Sequence, residues 1–203
     1  MTTARALPTN SLAPWAEIVP GYGAMTVADL VALPDDEVWR YEVVDGVLVR
    51  VGSSVYKATR LAGRLFATLL AFVLTHDLGD VTPPDGTYDL DASGQSTTGL
   101  VPDVGFIRAE LLPRINPDKA IPFAPDLAIE VASDNQYRPV MGRKAARYLD
   151  AGSRLVWIIY PRWRQVDVWH PGDIAPTTLN INDTLSGENV VPGFAHPVAT
   201  LFV

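Results

Sequence analysis

The chain has 203 residues, 48% of them hydrophobic and 19% charged, a composition typical of a globular domain with its own core. Its lack of cysteine excludes disulfides, thiolate metal sites and a cysteine nucleophile, and a reducing cytoplasm is the expected compartment. The three histidines are too scattered to form a metal-binding motif. No stretch reaches the ~20 apolar residues of a membrane helix, so no membrane association is expected.

The first part of the chain is rich in proline and glycine. Residues 1–23 are therefore expected to form a loose arm, followed by a single domain over residues 24–203. Thr26 has the character of a helix N-cap and predicts a short helix over 27–33, which Pro34 ends.

Two β-rich runs flank the pair Asp45-Gly46, which tolerates the positive φ angles of a type I′ turn. They predict a hairpin with strands over 38–44 and 47–51. Leucines at helical spacing then predict a long helix over 55–76.

The remaining periodicities alternate between strand and helix. We predict strands over 80–90, 100–107, 125–132, 154–160 and 165–169, a helix over 139–151, and a turn-rich tail that ends in a short helix. This order indicates a mixed α+β domain, in which helices flank a central mixed sheet and an N-terminal β-hairpin precedes it.

Two carboxylates, Asp103 and Glu130, lie inside apolar, strand-like runs. An ionised carboxylate is costly to bury unless a cation or another partner compensates it. Because side chains alternate along a strand, each shares its face with a small residue, Gly105 or Ala128. If the two strands are neighbours, the carboxylates could bind one Mg²⁺ or Mn²⁺ ion.

The net charge of −7 argues against a polyanionic partner, but the basic residues are clustered. Residues 46–76 hold four basic residues and no acid, and residues 135–166 hold seven basic residues and one acid. These segments could attract a nucleic-acid backbone, or they could be two solvated helix faces. The candidate contacts are Lys57, Arg60, Arg64, Arg138, Arg143 and Arg147. Trp163, between Arg162 and Arg164, is the aromatic residue best placed to join them.

A set of motifs in a fixed order is more specific than any one of them. They are Tyr41-Glu42-Val43-Val44-Asp45-Gly46, Pro102-Asp103-Val104, Pro125-Asp126-Leu127 through Glu130-Val131-Ala132-Ser133, Lys144 with Tyr148, Ala151-Gly152 and Trp157-Ile158-Ile159. Over residues 25–203 this set resembles the bacterial Uma-type family, whose members are described as restriction endonucleases and have the PD-(D/E)XK nuclease fold.

The resemblance implies a hydrolase, a Mg²⁺- or Mn²⁺-dependent endonuclease that acts on DNA. It implies Asp103 and Glu130 as metal ligands, Glu42 as an auxiliary acid, and Lys144 as the residue that orients or activates the attacking water. Cleavage of both DNA strands would favour a symmetric homodimer.

The chain departs from the family pattern at several positions. The superfamily lysine two residues after the second acid is replaced by Ala132, and acids common in the family are replaced by Val140 and Tyr160. A second hypothesis is therefore a degenerate nuclease fold that acts as a nucleic-acid-binding or regulatory module. A glycosidase with two carboxylates fits poorly, because that reaction needs no lysine.

Each candidate residue also has a purely structural alternative. The alternatives are Asp103 as a turn or cap residue, Glu130 paired with Arg143 or Arg147, Glu42 paired with Arg40 or Arg50, and Lys144 as a solvated helix lysine.

Overall fold

The computed structural model describes residues 12–34, 39–51, 56–91, 95–134 and 136–203. In chain order its elements are β1 (Glu17–Ile18), α1 (Val27–Val31), β2 (Arg40–Val44), β3 (Val47–Val51), α2 (Tyr56–Thr75), β4 (Gly79–Thr82), β5 (Tyr88–Asp89), β6 (Gly99–Leu100), β7 (Val104–Arg108), a 3₁₀ helix (Ala109–Arg114), β8 (Leu127–Val131), α3 (Arg138–Asp150), β9 (Leu155–Tyr160), β10 (Gln165–Trp169), β11 (Thr177–Leu179), β12 (Thr184–Ser186), β13 (Ala195–Pro197) and α4 (Val198–Leu201).

A six-stranded mixed sheet forms the centre of the fold, in the order β11-β10-β9-β8-β7-β4. The pair β8–β9 is parallel, and its other neighbouring strands are antiparallel. Every residue of β8 and β9 is buried, as expected for strands covered by other elements on both faces. The predicted central mixed sheet flanked by helices is confirmed.

The two faces of this sheet carry separate parts of the core. Ile129 and Trp157 point to the face packed against α2, whereas Ala128 and Ile158 point to the face packed against α3. Because strand side chains alternate, Glu130 shares the α3 face with Ala128. The fold therefore directs this carboxylate towards a helix.

Helix α2 buries residues four positions apart, Leu61, Leu65, Leu69 and Val73, against the sheet. By length and composition alone it is also apolar enough to cross a membrane, a test that core helices of soluble proteins pass as well. The expectation that no stretch has this character is wrong by that test. Its basic residues lie in the N-terminal half and leave the rest of the helix apolar.

A second sheet, in the order β1-β3-β2-β6-β5, contains the predicted hairpin. Asp45 and Gly46 have φ angles of 48° and 79°, so the Asp-Gly turn forms as its sequence predicts. The short helix α1 is also present, and its cap Thr26 forms a capping box with Asp29.

The predicted strands over 80–90 and 100–107 are each divided between the two sheets. The prolines Pro83 and Pro84 separate β4 from β5, and Pro102 separates β6 from β7, since proline cannot donate a ladder hydrogen bond. Asp103 therefore lies in a bend just before β7 and not inside a strand. The structural alternative for Asp103, a turn or cap residue, is therefore correct about its position in the chain.

The expectation of a loose arm over residues 1–23 is wrong for the part that the structure describes, residues 12–23. Trp15 is buried, and Glu17–Ile18 pairs with β3 as an edge strand. An aromatic residue that can bury its ring and bond its indole N–H is held in place by both effects. Residues 1–11 lie outside the described part of the chain.

Candidate active site

Four charged side chains converge where the hairpin, the central sheet and α3 meet. Asp103 precedes β7, Glu130 lies on β8, Glu42 on β2 and Lys144 on α3. Val104 pairs with Ile129 in the antiparallel β7–β8 ladder, so Asp103, just before β7, lies beside Glu130 on β8. Each of the four residues is less than a tenth exposed. Buried charged side chains of this kind need partners.

Lys144 is an ion-pair partner of both glutamates. Its Nζ atom lies 2.7 Å from Glu130 Oε1 and 2.9 Å from Glu42 Oε1. The solvated-lysine alternative is wrong, because the predicted helix face of Met141, Lys144 and Tyr148 is buried. Burial alone would lower the pKa of Lys144, but the negative charges of the two glutamates outweigh it and raise that pKa. The amine is therefore an ammonium ion at neutral pH.

Glu130 is a buried carboxylate whose pKa is shifted by its surroundings. Burial raises its pKa to about 7, the charges of Asp103 and Glu42 add to the rise, and Lys144 opposes it. The Tyr148 hydroxyl donates a hydrogen bond of 2.8 Å to Glu130 Oε1. The alternative in which an arginine of α3 pairs with Glu130 is wrong, because the partner is Lys144. A carboxylate whose pKa lies near neutrality in a built ionic cluster is typical of a functional site.

Glu42 is fully buried and serves as a fixed anchor. Besides Lys144, it accepts a 2.9 Å hydrogen bond from Trp15 Nε1 and a 3.1 Å hydrogen bond from the Val101 backbone N–H. The alternative pairing of Glu42 with Arg40 or Arg50 is therefore wrong. Sequence reasoning missed Trp15, which lies 27 positions away in a segment without a secondary-structure pattern.

Asp103 is held by a residue that was not among the predicted site residues. Arg40 Nη1 donates to Asp103 Oδ1 at 3.1 Å, and the Val131 N–H donates to Oδ2 at 2.8 Å. Arg40 lies two residues before Glu42 on β2, so both side chains project from the same face of that strand. The alternation of charged residues at positions 40 and 42 is the signal that could have indicated it.

The donor set is chemically suited to a hard divalent cation. Three carboxylates meet two cationic side chains in this cluster, which gives a net charge of −1 when all five groups are ionised. Among the described residues, no group of three or more Asp, Glu, His or Cys side chains could hold a metal ion. Mg²⁺, however, commonly uses one or two carboxylates and completes its shell with water and phosphate oxygens. Asp103 and Glu130 fit that requirement, whereas Glu42 is already committed to three donors.

Comparison with known proteins bears on this arrangement. The model of the Uma2 family, described as "Putative restriction endonuclease", matches residues 27–199. The chain belongs to the Uma2 family.

The solved structures agree with this assignment. The crystal structure of a "putative nuclease belonging to DUF820" from Anabaena variabilis ATCC 29413 superposes with a TM-score of 0.73 at 16% identity, covering 88% of this chain and 97% of that one. A search of curated proteins gave no match. Family and fold together indicate a nuclease, and the predicted restriction-endonuclease-like fold is confirmed.

The predicted nucleic-acid contacts of this Uma2 protein are distributed over several surfaces. Lys57 Nζ donates to the Pro161 carbonyl at 3.2 Å, Arg64 to the Val203 carbonyl, and Arg138 to Asp167. Arg147 forms two hydrogen bonds with Asp45, and Arg60 and Arg143 are exposed. The structure thus brings Lys57 and Arg138 near the turn after β9, while Arg147 lies at the other end of α3. Their contact with nucleic acid stays a prediction.

The departures from the family pattern have visible consequences. Ala132 and Tyr160 are buried near the end of the β8–β9 pair, and Lys144 fills the position next to Glu130 from the helix. The Tyr160 hydroxyl is buried without a hydrogen-bond partner among the described residues. The lysine of this Uma2 site therefore comes from α3 and not from β8.

Proposed function

We propose that this Uma2 protein is an endonuclease that hydrolyses DNA phosphodiester bonds with Mg²⁺ or Mn²⁺. The observation that carries the proposal is the 2.7 Å contact between Lys144 Nζ and Glu130 Oε1, with Asp103 next to Glu130 at the start of the neighbouring strand. Two carboxylates can hold a metal ion, and a buried ammonium group can stabilise the charge that develops on the phosphate during metal-assisted hydrolysis.

Asp103 and Glu130 would hold the metal ion. Among the described residues, both hydrogen bonds to the Glu130 side chain fall on Oε1, so Oε2 can accept a ligand. A divalent ion bound there would neutralise charge on the phosphate and lower the pKa of water. Arg40 occupies Asp103 Oδ1 and is only partly buried, so its guanidinium can exchange the carboxylate for a phosphate oxygen.

Lys144 would act as a fixed positive charge. Its raised pKa keeps it protonated at neutral pH, which favours stabilisation of developing negative charge over proton abstraction. Glu42 holds the lysine through an ion pair, Trp15 holds Glu42 through a hydrogen bond, and Tyr148 orients the shared Glu130. These three are positioning residues.

Nicking of supercoiled plasmid DNA in Mg²⁺, Mn²⁺ or EDTA tests the proposal. Lys144→Ala should lower the cleavage rate by about 10²-fold or more, the scale of a lost electrostatic donor, while metal binding persists. Lys119→Ala is the matched control, because Lys119 is an exposed loop lysine. Cleavage that is insensitive to both EDTA and Lys144→Ala would contradict the proposal.

A non-catalytic module is the second candidate, and one observation favours it. Each carboxylate of the cluster already has a cationic partner in the chain, so the site is compensated without a metal ion. Val140 and Tyr160, in place of acids, point the same way. A wild-type protein that binds DNA but neither binds Mn²⁺ nor cleaves would support this function.

A further inference from the structure

The turn between β9 and β10 carries an exposed aromatic surface next to the candidate site. Among the described residues four large aromatic side chains are exposed: Tyr22, Tyr56, Tyr137 and Trp163. Three of these lie in one region or next in sequence to a residue that contacts it. Trp163 is in the turn itself. Tyr56 precedes Lys57, which donates a hydrogen bond to the Pro161 carbonyl in the turn. Tyr137 precedes Arg138, whose guanidinium lies over the Trp163 ring. This concentration of exposed rings marks a candidate binding surface.

The Trp163 ring is held in place by its neighbours while much of it faces solvent. It is 44% exposed, and its centroid lies 5.2 Å from that of Tyr160. The Arg138 guanidinium lies 5.5 Å from the Trp163 centroid and 4.9 Å from the Tyr160 centroid. Arg138 is itself fixed by hydrogen bonds to Asp167, Gln165 and Thr178. A ring fixed in this way loses little conformational entropy when a ligand stacks on it.

The position of Ala132 along the chain places this surface beside the candidate site. Ala132 and Trp163 line the same shallow crevice at the end of the sheet. Ala132 lies two residues beyond Glu130, on the same face of the chain, so the crevice begins about 7 Å from Glu130 at 3.3 Å per residue. With a rise of about 3.4 Å per nucleotide along one strand, that distance corresponds to about two nucleotides.

The charge of this surface suits a phosphate backbone. Its basic side chains are Lys57, Arg138, Arg162 and Arg164, and its acids are Asp134 and Asp167. Exposed rings among basic side chains are the recognition mode of single-stranded nucleic acid, because an unpaired base offers its π-face and a paired base inside a duplex does not.

We infer that the Trp163 turn binds an unpaired, single-stranded segment of nucleic acid, with one base stacked on the Trp163 indole and its backbone along the basic rim. The strand would continue from this contact towards Asp103 and Glu130. That continuation rests on the proposed nuclease function, whereas the stacking contact does not.

Fluorescence anisotropy in EDTA tests the inference without cleavage. The probes are labelled oligothymidine of about 12 nucleotides and the dT·dA duplex of the same length. Wild-type protein should bind the single strand more tightly. Trp163→Ala should weaken single-strand binding by about 5- to 150-fold, the range for one base–aromatic stack, and duplex binding by much less.

Two further variants make the test specific. Trp163→Phe keeps a ring and should retain most of the single-strand affinity. Tyr22→Ala removes an equally exposed aromatic residue near the hairpin turn, where Met25 bonds Gly46, and should bind as wild type does. The same melting temperature in all variants would show that the fold is intact.

Several results would overturn the inference. They are unchanged single-strand binding by Trp163→Ala, equal losses for single strand and duplex, or no binding by wild type even at low salt. A change of oligomeric state in Trp163→Ala would instead mark this face as a contact between copies of the chain. Because binding is read in EDTA, Trp163-dependent binding can persist even if Lys144-dependent cleavage fails, so the two proposals fail separately.

Discussion

Lys144 and Arg147 lie three residues apart on α3, and each pairs with carboxylates of other elements, yet their surroundings differ. The Lys144 side chain is 2% exposed and lies between Glu42 and Glu130, whereas the side chains of Arg147 and Asp45 are 32% and 40% exposed. Water screens the second pair and is excluded from the first. One helix therefore carries a surface ion pair and a buried ionic cluster.

The difference in burial shows which of these charged residues can be explained by their contribution to stability and which cannot. Arg147 connects α3 to the hairpin turn through two hydrogen bonds, a modest structural contact. The desolvation of Lys144 and two glutamates is costly, and a well-packed apolar cluster would often be at least as stable. The buried cluster is therefore better explained by a function at that position.

The largest expected effect comes from removing Lys144. Lys144→Met leaves Glu42 and Glu130 buried without their cation and should lower the free energy of unfolding by about 3–5 kcal/mol, measured by urea denaturation. Arg147→Met should lower it by about 1 kcal/mol or less. Equal losses of unfolding free energy in the two variants would contradict the distinction between the buried cluster and the surface pair.

Glu130 in the buried cluster and Asp45 in the surface pair should change the stability of the protein with pH in opposite directions. The pKa of Glu130 is raised to about 7 in the folded protein from an ordinary value of 4.5, so the folded state binds its proton more tightly. The contribution of Glu130 is fully present below about pH 4.5 and is lost as the pH rises through 7. Glu130→Gln should remove this decline in denaturation midpoints measured from pH 4.5 to 8.

Asp45 supplies the matched comparison. Its hydrogen bonds to Arg147 lower the pKa of Asp45 below the ordinary 3.8, so its contribution is present above that value and is lost as the pH falls through the folded pKa. Asp45→Asn should therefore change stability only marginally at acidic pH and leave the slope between pH 4.5 and 8 intact. If Asp45→Asn removed the decline in stability between pH 4.5 and 8, that decline would come from Asp45 and not from Glu130.

An intermediate effect is expected at Arg40. Because its guanidinium competes with a metal ion for Asp103, Arg40→Gln should strengthen Mn²⁺ binding by on the order of 10-fold, measured by isothermal titration calorimetry. Arg50 pairs with Glu17 at the edge of the same sheet, and Arg50→Gln should leave the affinity unchanged. Weaker Mn²⁺ binding in Arg40→Gln would show that the arginine supports the site and does not compete for it.

The smallest effect concerns the pair on the surface. A double-mutant cycle with Asp45→Asn and Arg147→Met should give a coupling energy of about 0.2–1 kcal/mol that falls in high salt. A coupling of several kcal/mol would mean that this pair behaves as a buried one.

Turn chemistry and helical spacing, which depend on short stretches of sequence, correctly predicted the elements that they determine. Asp45-Gly46 specified its turn, and the helical spacing of Met141, Lys144 and Tyr148 placed the lysine on the buried face of α3. Trp15 and Arg40 could not be found in this way, because their contacts with Glu42 and Asp103 join segments far apart in sequence. These contacts depend on how the two sheets pack, which no short window of sequence contains.

The central claim is that Asp103 and Glu130 form a site for a divalent metal ion, and calorimetric titration of Mn²⁺ tests it most directly. Wild-type protein should bind one ion, and Asp103→Asn and Glu130→Gln should each abolish this binding without unfolding, because each removes a charge that the metal ion requires. Unchanged Mn²⁺ affinity in both variants would contradict the account.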